Sequence, residues 1–194
     1  MQKLSKEDLY SLESYDQVRE EFREKVREHK RDRRLSLGTN ATLYFEDTLT
    51  MQYQVQEMLR IERIFEARGI KEELDAYNPL IPDGSNWKAT FMIEFPDAEE
   101  RRVMLTQLVG IEESIWLQID GFEKIRPIAD EDLERSDENK TSAVHFLRFE
   151  LDALQIQALK DGAGLSAGID HESYRVEVSP VAENIRASLV SDLD

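Results

Sequence analysis

The chain lacks cysteine, contains only three histidines, and has no apolar run that approaches the roughly 18 residues needed to span a bilayer. Without cysteine the protein has no disulfides, no thiolate-bound zinc, no iron–sulfur cluster of its own and no thiol nucleophile. The first residues also lack the apolar segment of a signal peptide, so we expect a soluble, cytoplasmic protein that does not bind membranes.

Basic residues are in the minority. The 194 residues include 41 acidic and 25 basic side chains, which gives a formal net charge of −16. Because phosphate backbones are bound through clustered Lys and Arg, this balance argues against nucleic acid as a partner. Hydrophobic residues make up 40% of the chain, which is enough for a sizeable core.

Residues 1–34 differ from the remainder of the chain in their charge. They carry ten basic and nine acidic residues, so the net negative charge lies in residues 35–194. A helix is predicted over residues 15–34, with a narrow apolar stripe formed by Val18, Phe22 and Val26. This pattern indicates a charged helical arm that packs on its own domain or on a second subunit. We therefore expect a protein partner, or a homo-oligomer formed through residues 15–34.

Residues 35–194 are predicted to form one α+β domain, in which helices pack on a mostly antiparallel sheet. Strands are predicted over residues 34–37, 42–46, 87–95, 114–119, 122–128, 142–151, 164–171 and 174–178. Helices are predicted over residues 48–67, 72–77, 97–109, 152–160 and 180–193. Most strands are joined by short turns, as expected for hairpins, and no internal repeat is present.

Motif-like segments do not fit the chemistry that they suggest. The G-x-S-x-G pattern around Ser166 follows a predicted helix and opens a strand, the reverse of a nucleophile elbow. The acidic run 130–138 has Arg135 and Thr141 where an EF-hand loop needs Gly and Glu, which favours a solvated loop. The histidines lack metal-site spacing and the glycines lack phosphate-loop spacing. The sequence therefore predicts no metal and no cofactor.

A carboxylate interrupts the apolar face of the predicted helix 48–67. At about 100° per residue, Glu62 falls near the middle of this face. The apolar residues of the face are Met51, Val55, Met58, Leu59 and Phe65. A buried carboxylate must be paired, hydrogen-bonded or protonated. Two interpretations stay open, a structural ion pair or a tuned acid, base or ligand anchor.

Two strands carry polar residues that are expected to have partners. On strand 142–151, alternation places His145 on one face and Arg148 on the other, each within an apolar row. Lys88 lies on strand 87–95, and the stiff loop 78–86 is expected to form a pocket wall above it. The alternatives are that His145 is a core histidine with its hydrogen bonds satisfied, that Lys88 is an ordinary exposed lysine, and that the loop 78–86 is only a rigid connection.

These residues define a candidate ligand site. It comprises Glu62, Arg63, Lys88, His145 and Arg148. In this hypothesis Glu62 and His145 act as acid and base, and the three cationic side chains hold an anionic substrate. A third interpretation, a divalent metal held by Glu62, Glu66 and His145, lacks ligand spacing.

Long segments of the chain resemble an uncharacterised bacterial family, known only as a domain of unknown function. The segments are YQVQEMLRIERIFEA (residues 53–67), ELDAYNPLIPDG (73–84) and TSAVHFLRFE (141–150). The resemblance implies no established activity, fold or catalytic residue. It does imply a genetic neighbourhood of rubrerythrin-like and iron–sulfur oxidoreductase proteins, and hence an accessory role in peroxide or electron-transfer metabolism.

The leading hypothesis is therefore a non-catalytic, cytoplasmic accessory or interaction protein. The alternative is an enzyme or a binder of a small anionic ligand that uses the candidate site. The sequence motivates the first through its charged arm and missing catalytic motifs, and the second through the unusual position of Glu62.

Overall fold

Two antiparallel sheets and a set of packed helices confirm the predicted α+β fold. The computed structural model describes residues 2–194. The helices are α1 (Leu12–Arg31), α2 (Thr48–Ile61), α3 (Ala67–Tyr77), α4 (Ala98–Gln107), α5 (Ile111–Ser114), α6 (Ala153–Lys160) and α7 (Glu183–Val190). The strands are β1 (Arg34–Ser36), β2 (Ala41–Glu46), β3 (Asn86–Ile93), β4 (Ile115–Ile119), β5 (Ile128–Ala129), β6 (Val144–Glu150), β7 (Leu165–His171) and β8 (Tyr174–Val178). Among the described residues, no helix combines the length and apolarity required to cross a bilayer.

The larger sheet has the strand order β1-β2-β3-β6-β5. In its centre β3 pairs with β6, so that Lys88 lies opposite Arg148 and Phe91 lies opposite His145. Alternation along β6 is as predicted, because His145 is buried while Arg148 is only half-buried on the other face. The two faces of this sheet therefore have different surroundings.

The smaller sheet has the order β4-β7-β8 and differs from the prediction at one strand. The segment 122–128 was expected to pair with β4, yet it forms a single bridge, Leu117 with Ile125. Its continuation, β5, pairs with β6 of the larger sheet instead. The predicted antiparallel pairing with β4 is therefore limited to this bridge, with backbone hydrogen bonds of 3.0 and 2.7 Å, because the segment then crosses to the larger sheet. A shared hydrophobic core joins the two sheets, with Phe91, Leu117 and Ile169 among its members.

The predicted stripe of α1 packs within the chain. Tyr15, Phe22 and Val26 are buried and form a small cluster with Leu49 and Tyr53 of α2. The division into residues 1–34 and 35–194, and self-association through residues 15–34, remain predictions. Light scattering on the full chain during size-exclusion chromatography would test the second.

Helix α2 ends earlier than predicted, and this corrects the position of Glu62. The helix stops at Ile61, Glu62 is its C-cap, and Arg63 adopts a left-handed conformation with a φ of 56°. A new helix, α3, then begins at Ala67. Because the helical phase is lost after Ile61, Glu62 is exposed, and Phe65 is 73% exposed.

A buried arginine connects the end of α1 with the C-terminus. Arg33 is 2% exposed, and its guanidinium donates to the carbonyl oxygens of Phe45 (3.0 Å) and Glu46 (3.1 Å). It also forms a two-point ion pair with Asp192, which is itself buried. Asp47 lies 3.3 Å away. The Arg33 guanidinium therefore connects the end of α1 with the end of β2 and with the C-terminal segment.

A tyrosine hydroxyl connects the two sheets at another point. The Tyr174 hydroxyl donates to the Leu37 carbonyl oxygen (2.8 Å) and accepts from the Asn40 amide (3.1 Å). We expect Tyr174→Phe to lower the free energy of unfolding by about 1–2 kcal/mol, because both backbone groups lose a partner. Urea denaturation would measure this. Tyr77→Phe is the matched control, since the Tyr77 hydroxyl makes no hydrogen bond within residues 2–194. Equal losses in both variants would contradict the assignment.

Candidate functional site

The structure separates the five predicted site residues into three places. Glu62 and Arg63 are exposed at the end of α2, and no contact joins them to the other three in residues 2–194. Lys88 and Arg148 share the outer face of the larger sheet. His145 lies on the opposite face, in the core. The five residues therefore do not form one site.

His145 is fully buried and has hydrogen-bonding groups at both ring nitrogens. Its Nδ1 donates to the Asp130 carboxylate at 2.6 Å. On the other side, Nε2 lies 2.9 Å from the Thr141 hydroxyl and 3.1 Å from the Ser142 carbonyl oxygen. A second carboxylate, that of Glu112, is 3.9 Å from Nε2. The ring thus lies between two carboxylates in a site from which water is largely excluded.

Hydroxyl groups connect Glu112 with the imidazole. The Ser136 hydroxyl donates to Glu112 Oε1 at 2.6 Å and lies 2.8 Å from the Thr141 hydroxyl. Thr141 and Glu112 are 1% and 8% exposed. We call Glu112, Asp130, Ser136, Thr141 and His145 the His145 cluster. It comprises an unbroken set of polar contacts from a core histidine to the protein surface.

The backbone places Asp130 by means of an unusual conformation. Its φ is 51°, in the left-handed region, which Asp tolerates better than most residues. The second carboxylate oxygen accepts from the Phe146 amide at 2.9 Å, so Asp130 is fixed to β6 at two points. Only 9% of its side chain is exposed. The prediction that the acidic run 130–138 is simply solvated is therefore wrong at its first residue.

Sequence reasoning missed the partners of His145. Glu112 lies in the four-residue helix α5, and nothing in its local pattern distinguishes it from the exposed Glu113. Asp130 begins an acidic run in which most carboxylates are exposed. The one available signal was His145 itself, a polar residue in an apolar row that needed partners.

An acidic cavity of about 570 Å³ adjoins the His145 cluster. Glu112, Asp130 and Ser136 contribute to its wall, so the cluster is reached from this side. The other lining residues are Val109, Gly110, Glu113, Ala129, Glu134, Arg135, Asp137 and Glu138. Six carboxylates face a single guanidinium in this lining, so its electrostatic field favours a cation.

The donor atoms of the cluster suit a metal ion. Glu112, Asp130 and His145 each offer one ligand atom, and these atoms lie within 4.8 Å of one another. The sequence predicts no metal, and of the three residues in its alternative metal interpretation only His145 belongs to this group; Glu62 and Glu66 do not. Imidazole nitrogen with carboxylate oxygen is a donor set used by divalent transition metals.

Lys88 lies beneath the stiff loop, as the sequence predicts, and Arg148 lies opposite Lys88 on the neighbouring strand. The Lys88 ammonium donates to the Pro79 carbonyl oxygen. Burial lowers the pKa of Lys88, and the charges of Lys3 and Arg148 act in the same direction against the effect of Asp83. Arg148, in contrast, is paired with Glu131 through two hydrogen bonds of 2.7 Å.

The chain is similar to known proteins along its whole length. A crystal structure described as a novel protein of unknown function from Burkholderia pseudomallei K96243 has 48% identity and a TM-score of 0.95, with 100% of both chains covered. No curated protein is significantly similar. The profile of a family described as "Protein of unknown function (DUF3501)" matches residues 3–193. The resemblance to an uncharacterised family is thereby confirmed, and the chain belongs to the DUF3501 family.

Proposed function

We propose that the protein binds a divalent transition-metal cation at the His145 cluster. The observation that carries this proposal is a fully buried imidazole with a carboxylate near each ring nitrogen, beside a cavity lined by six acidic residues. The members of the cluster partner one another, which offsets the cost of placing charged groups in a protein interior.

The spacing of the donor atoms supports an octahedral site. In such a site, neighbouring ligands lie about 3 Å apart and opposite ligands about 4 Å apart. From His145 Nε2, the distances are 2.9 Å to Thr141 Oγ1, 3.1 Å to Ser142 O and 3.9 Å to Glu112 Oε2. Thr141 Oγ1 and Glu112 Oε2 are 3.4 Å apart. The mutual distances of Nε2, Thr141 Oγ1 and Glu112 Oε2 thus fit three ligands, and Ser142 O beside Nε2 is the candidate for a fourth.

Asp130 has a different role in this proposal. Its carboxylate bonds to Nδ1 and so turns Nε2 toward Glu112. A carboxylate behind a metal-binding histidine fixes the orientation of the ring and makes it a stronger ligand. The donor set then has one nitrogen and three oxygens, which suits Mn²⁺, Fe²⁺ or Zn²⁺ better than Ca²⁺.

The hydrogen bonds of the cluster must rearrange when a metal binds. Nδ1 faces a carboxylate and Nε2 lies near a carbonyl oxygen and the Thr141 hydroxyl. A metal at Nε2 takes the place of any hydrogen bond made by that nitrogen, because a ligand nitrogen must offer its lone pair.

Calorimetric titration of the chelator-treated full chain with Mn²⁺ and Zn²⁺ tests the proposal. We expect one site, with binding that weakens as the pH is lowered because protons compete with the metal for its ligands. Glu112→Gln is expected to weaken binding beyond the ~10–100-fold loss typical for residues that only support a ligand. Glu113→Gln, its neighbour in the same cavity wall, should bind within about twofold of wild type.

Two results would contradict metal binding. One is the absence of any 1:1 binding of either ion, which would leave the cluster as a hydrogen-bonded ion network. The other is an equal effect of Glu112→Gln and Glu113→Gln, which would place the cation elsewhere in the acidic cavity. The accessory role in redox metabolism stays a prediction from the family resemblance.

A further inference from the structure

The outer face of the larger sheet carries a second cavity system, on the opposite side of β6 from the His145 cluster. Two adjoining spaces of about 500 and 370 Å³ share Tyr77, Leu80 and Phe146 as walls. We call the larger one the Lys88 cleft; its relevant residues are Tyr77, Pro79, Leu80, Lys88, Phe146 and Arg148. Volumes of this size accommodate small organic ligands.

The chain builds the cleft from a sheet face and a rigid cover. Alternation along β3 and β6 places Lys88, Phe146 and Arg148 on the same face. The end of α3 and the turn Asn78–Leu80 lie over this face and provide aromatic and aliphatic walls. A proline within the turn limits its backbone freedom. The cleft is therefore formed before any ligand arrives.

Lys88 is the unusual group in the cleft. It is half-buried, and within residues 2–194 it has no carboxylate within ion-pair distance, since its hydrogen bond goes to the Pro79 carbonyl oxygen. Arg148 beside it is saturated by Glu131 and Glu150. Asp83 and Glu131 act on Lys88 only from beyond ion-pair distance, so an anionic group bound directly at Lys88 would offset the cost of its burial.

We infer that the Lys88 cleft binds a small organic monocarboxylate with an aromatic or aliphatic body. The carboxylate would accept a hydrogen bond from Lys88, and the body would pack against Tyr77, Leu80 and Phe146. Phosphates and dicarboxylates fit less well. Arg148 is already paired with Glu131 and Glu150, so a second negative charge on the ligand would find no free cation among the lining residues.

This inference does not depend on metal binding, and a separate probe tests it. The full-length protein labelled with ¹⁵N is titrated with 4-phenylbutyrate and with the neutral 4-phenylbutanamide, and amide shifts near Thr90 and Phe146 are followed. We expect both to perturb these amides, with the acid bound at least about tenfold more tightly, the effect of one charge-assisted hydrogen bond. N-acetyl-Leu-Phe, which mimics a polypeptide C-terminus, should bind less tightly than phenylbutyrate.

Three variants locate the effect. Lys88→Met is expected to remove the preference for acid over amide while leaving amide binding unchanged. Lys88→Arg should retain the preference, and so should Lys160→Met, which alters an exposed lysine on α6. The inference is overturned if neither compound shifts the amides near Thr90 and Phe146, or if wild type binds acid and amide with equal affinity. It is also overturned if Lys88→Met still prefers the acid. If N-acetyl-Leu-Phe binds more tightly than phenylbutyrate, the ligand is a polypeptide C-terminus and the proposal of a small-molecule ligand is wrong. The wild-type comparison decides even if a variant does not fold.

Discussion

Replacing Arg33 with methionine is expected to lower the free energy of unfolding by about 3–5 kcal/mol, the usual cost of removing one partner from a buried ion pair. Asp192 would be left as a buried carboxylate at 2% exposure without its counter-ion. The carbonyl oxygens of Phe45 and Glu46 would also lose a donor. Chemical denaturation monitored by circular dichroism would measure the change.

Arg31→Met is the matched control for this prediction. Arg31 is exposed at the end of the same helix, so its loss should change stability by no more than about 0.5 kcal/mol. The double variant Arg33→Met/Asp192→Leu is expected to lose less than the sum of the two single variants, because it leaves no uncompensated charge. Additive losses, or equal losses for Arg31 and Arg33, would show that the network does not act as a unit.

Asp130→Ala is expected to have an effect of similar size, about 3–5 kcal/mol in metal-free protein. The buried imidazole would lose its carboxylate, and the Phe146 amide would lose its acceptor. Alanine also tolerates a φ of 51° less well than aspartate. Denaturation in the presence of a chelator isolates this effect from any contribution of bound metal.

Asp130→Asn separates the role of Asp130 in folding from its role in binding. Asparagine tolerates the same backbone conformation and can still accept from the Phe146 amide, so the loss of stability should be smaller. Metal affinity should still fall by about 10–100-fold, because the ring loses its supporting carboxylate. Glu134→Ala, an exposed residue of the same cavity wall, controls for a general effect of charge. Affinity unchanged in Asp130→Asn would contradict the assigned role.

Local pattern was sufficient for most of the architecture. Alternation correctly placed His145 and Arg148 on opposite faces of β6, and turn residues located both strands of the β7–β8 hairpin. The exception was the segment 122–128, whose strand pairing depends on which sheet it reaches. Tertiary contacts determine which sheet the segment joins, and the alternation of apolar and polar residues along a strand does not reveal it.

Glu62 shows how a phase argument fails. Its predicted position on the apolar face assumes a helix that continues to residue 67, an end that is suggested by Gly69, since glycine commonly follows the last residue of a helix. Instead Arg63 breaks the helix and Gly69 lies inside α3, where an added Cβ would approach the Ile64 side chain to 2.6 Å. Gly69 is thus explained by close packing rather than by a helix end, a distinction that requires the three-dimensional structure.

The His145 cluster could be anticipated only in part. His145 is a polar residue in an apolar row, which indicates that it has hydrogen-bonding partners. These partners, Glu112 and Asp130, are 33 and 15 positions away along the chain. Neither has a local pattern that separates it from the many exposed carboxylates. Long-range pairing therefore required the fold before the site was visible.

The left-handed turn at Asp130 has a thermodynamic consequence. Asp130 bonds to His145 on the inner face of β6, and the next residue, Glu131, bonds to Arg148 on the outer face. Two ligands that each alter the hydrogen bonds of this turn, one through Asp130 and the other through Glu131, would be thermodynamically linked. A coupling free energy measured for one of them must then appear, with equal size and sign, for the other.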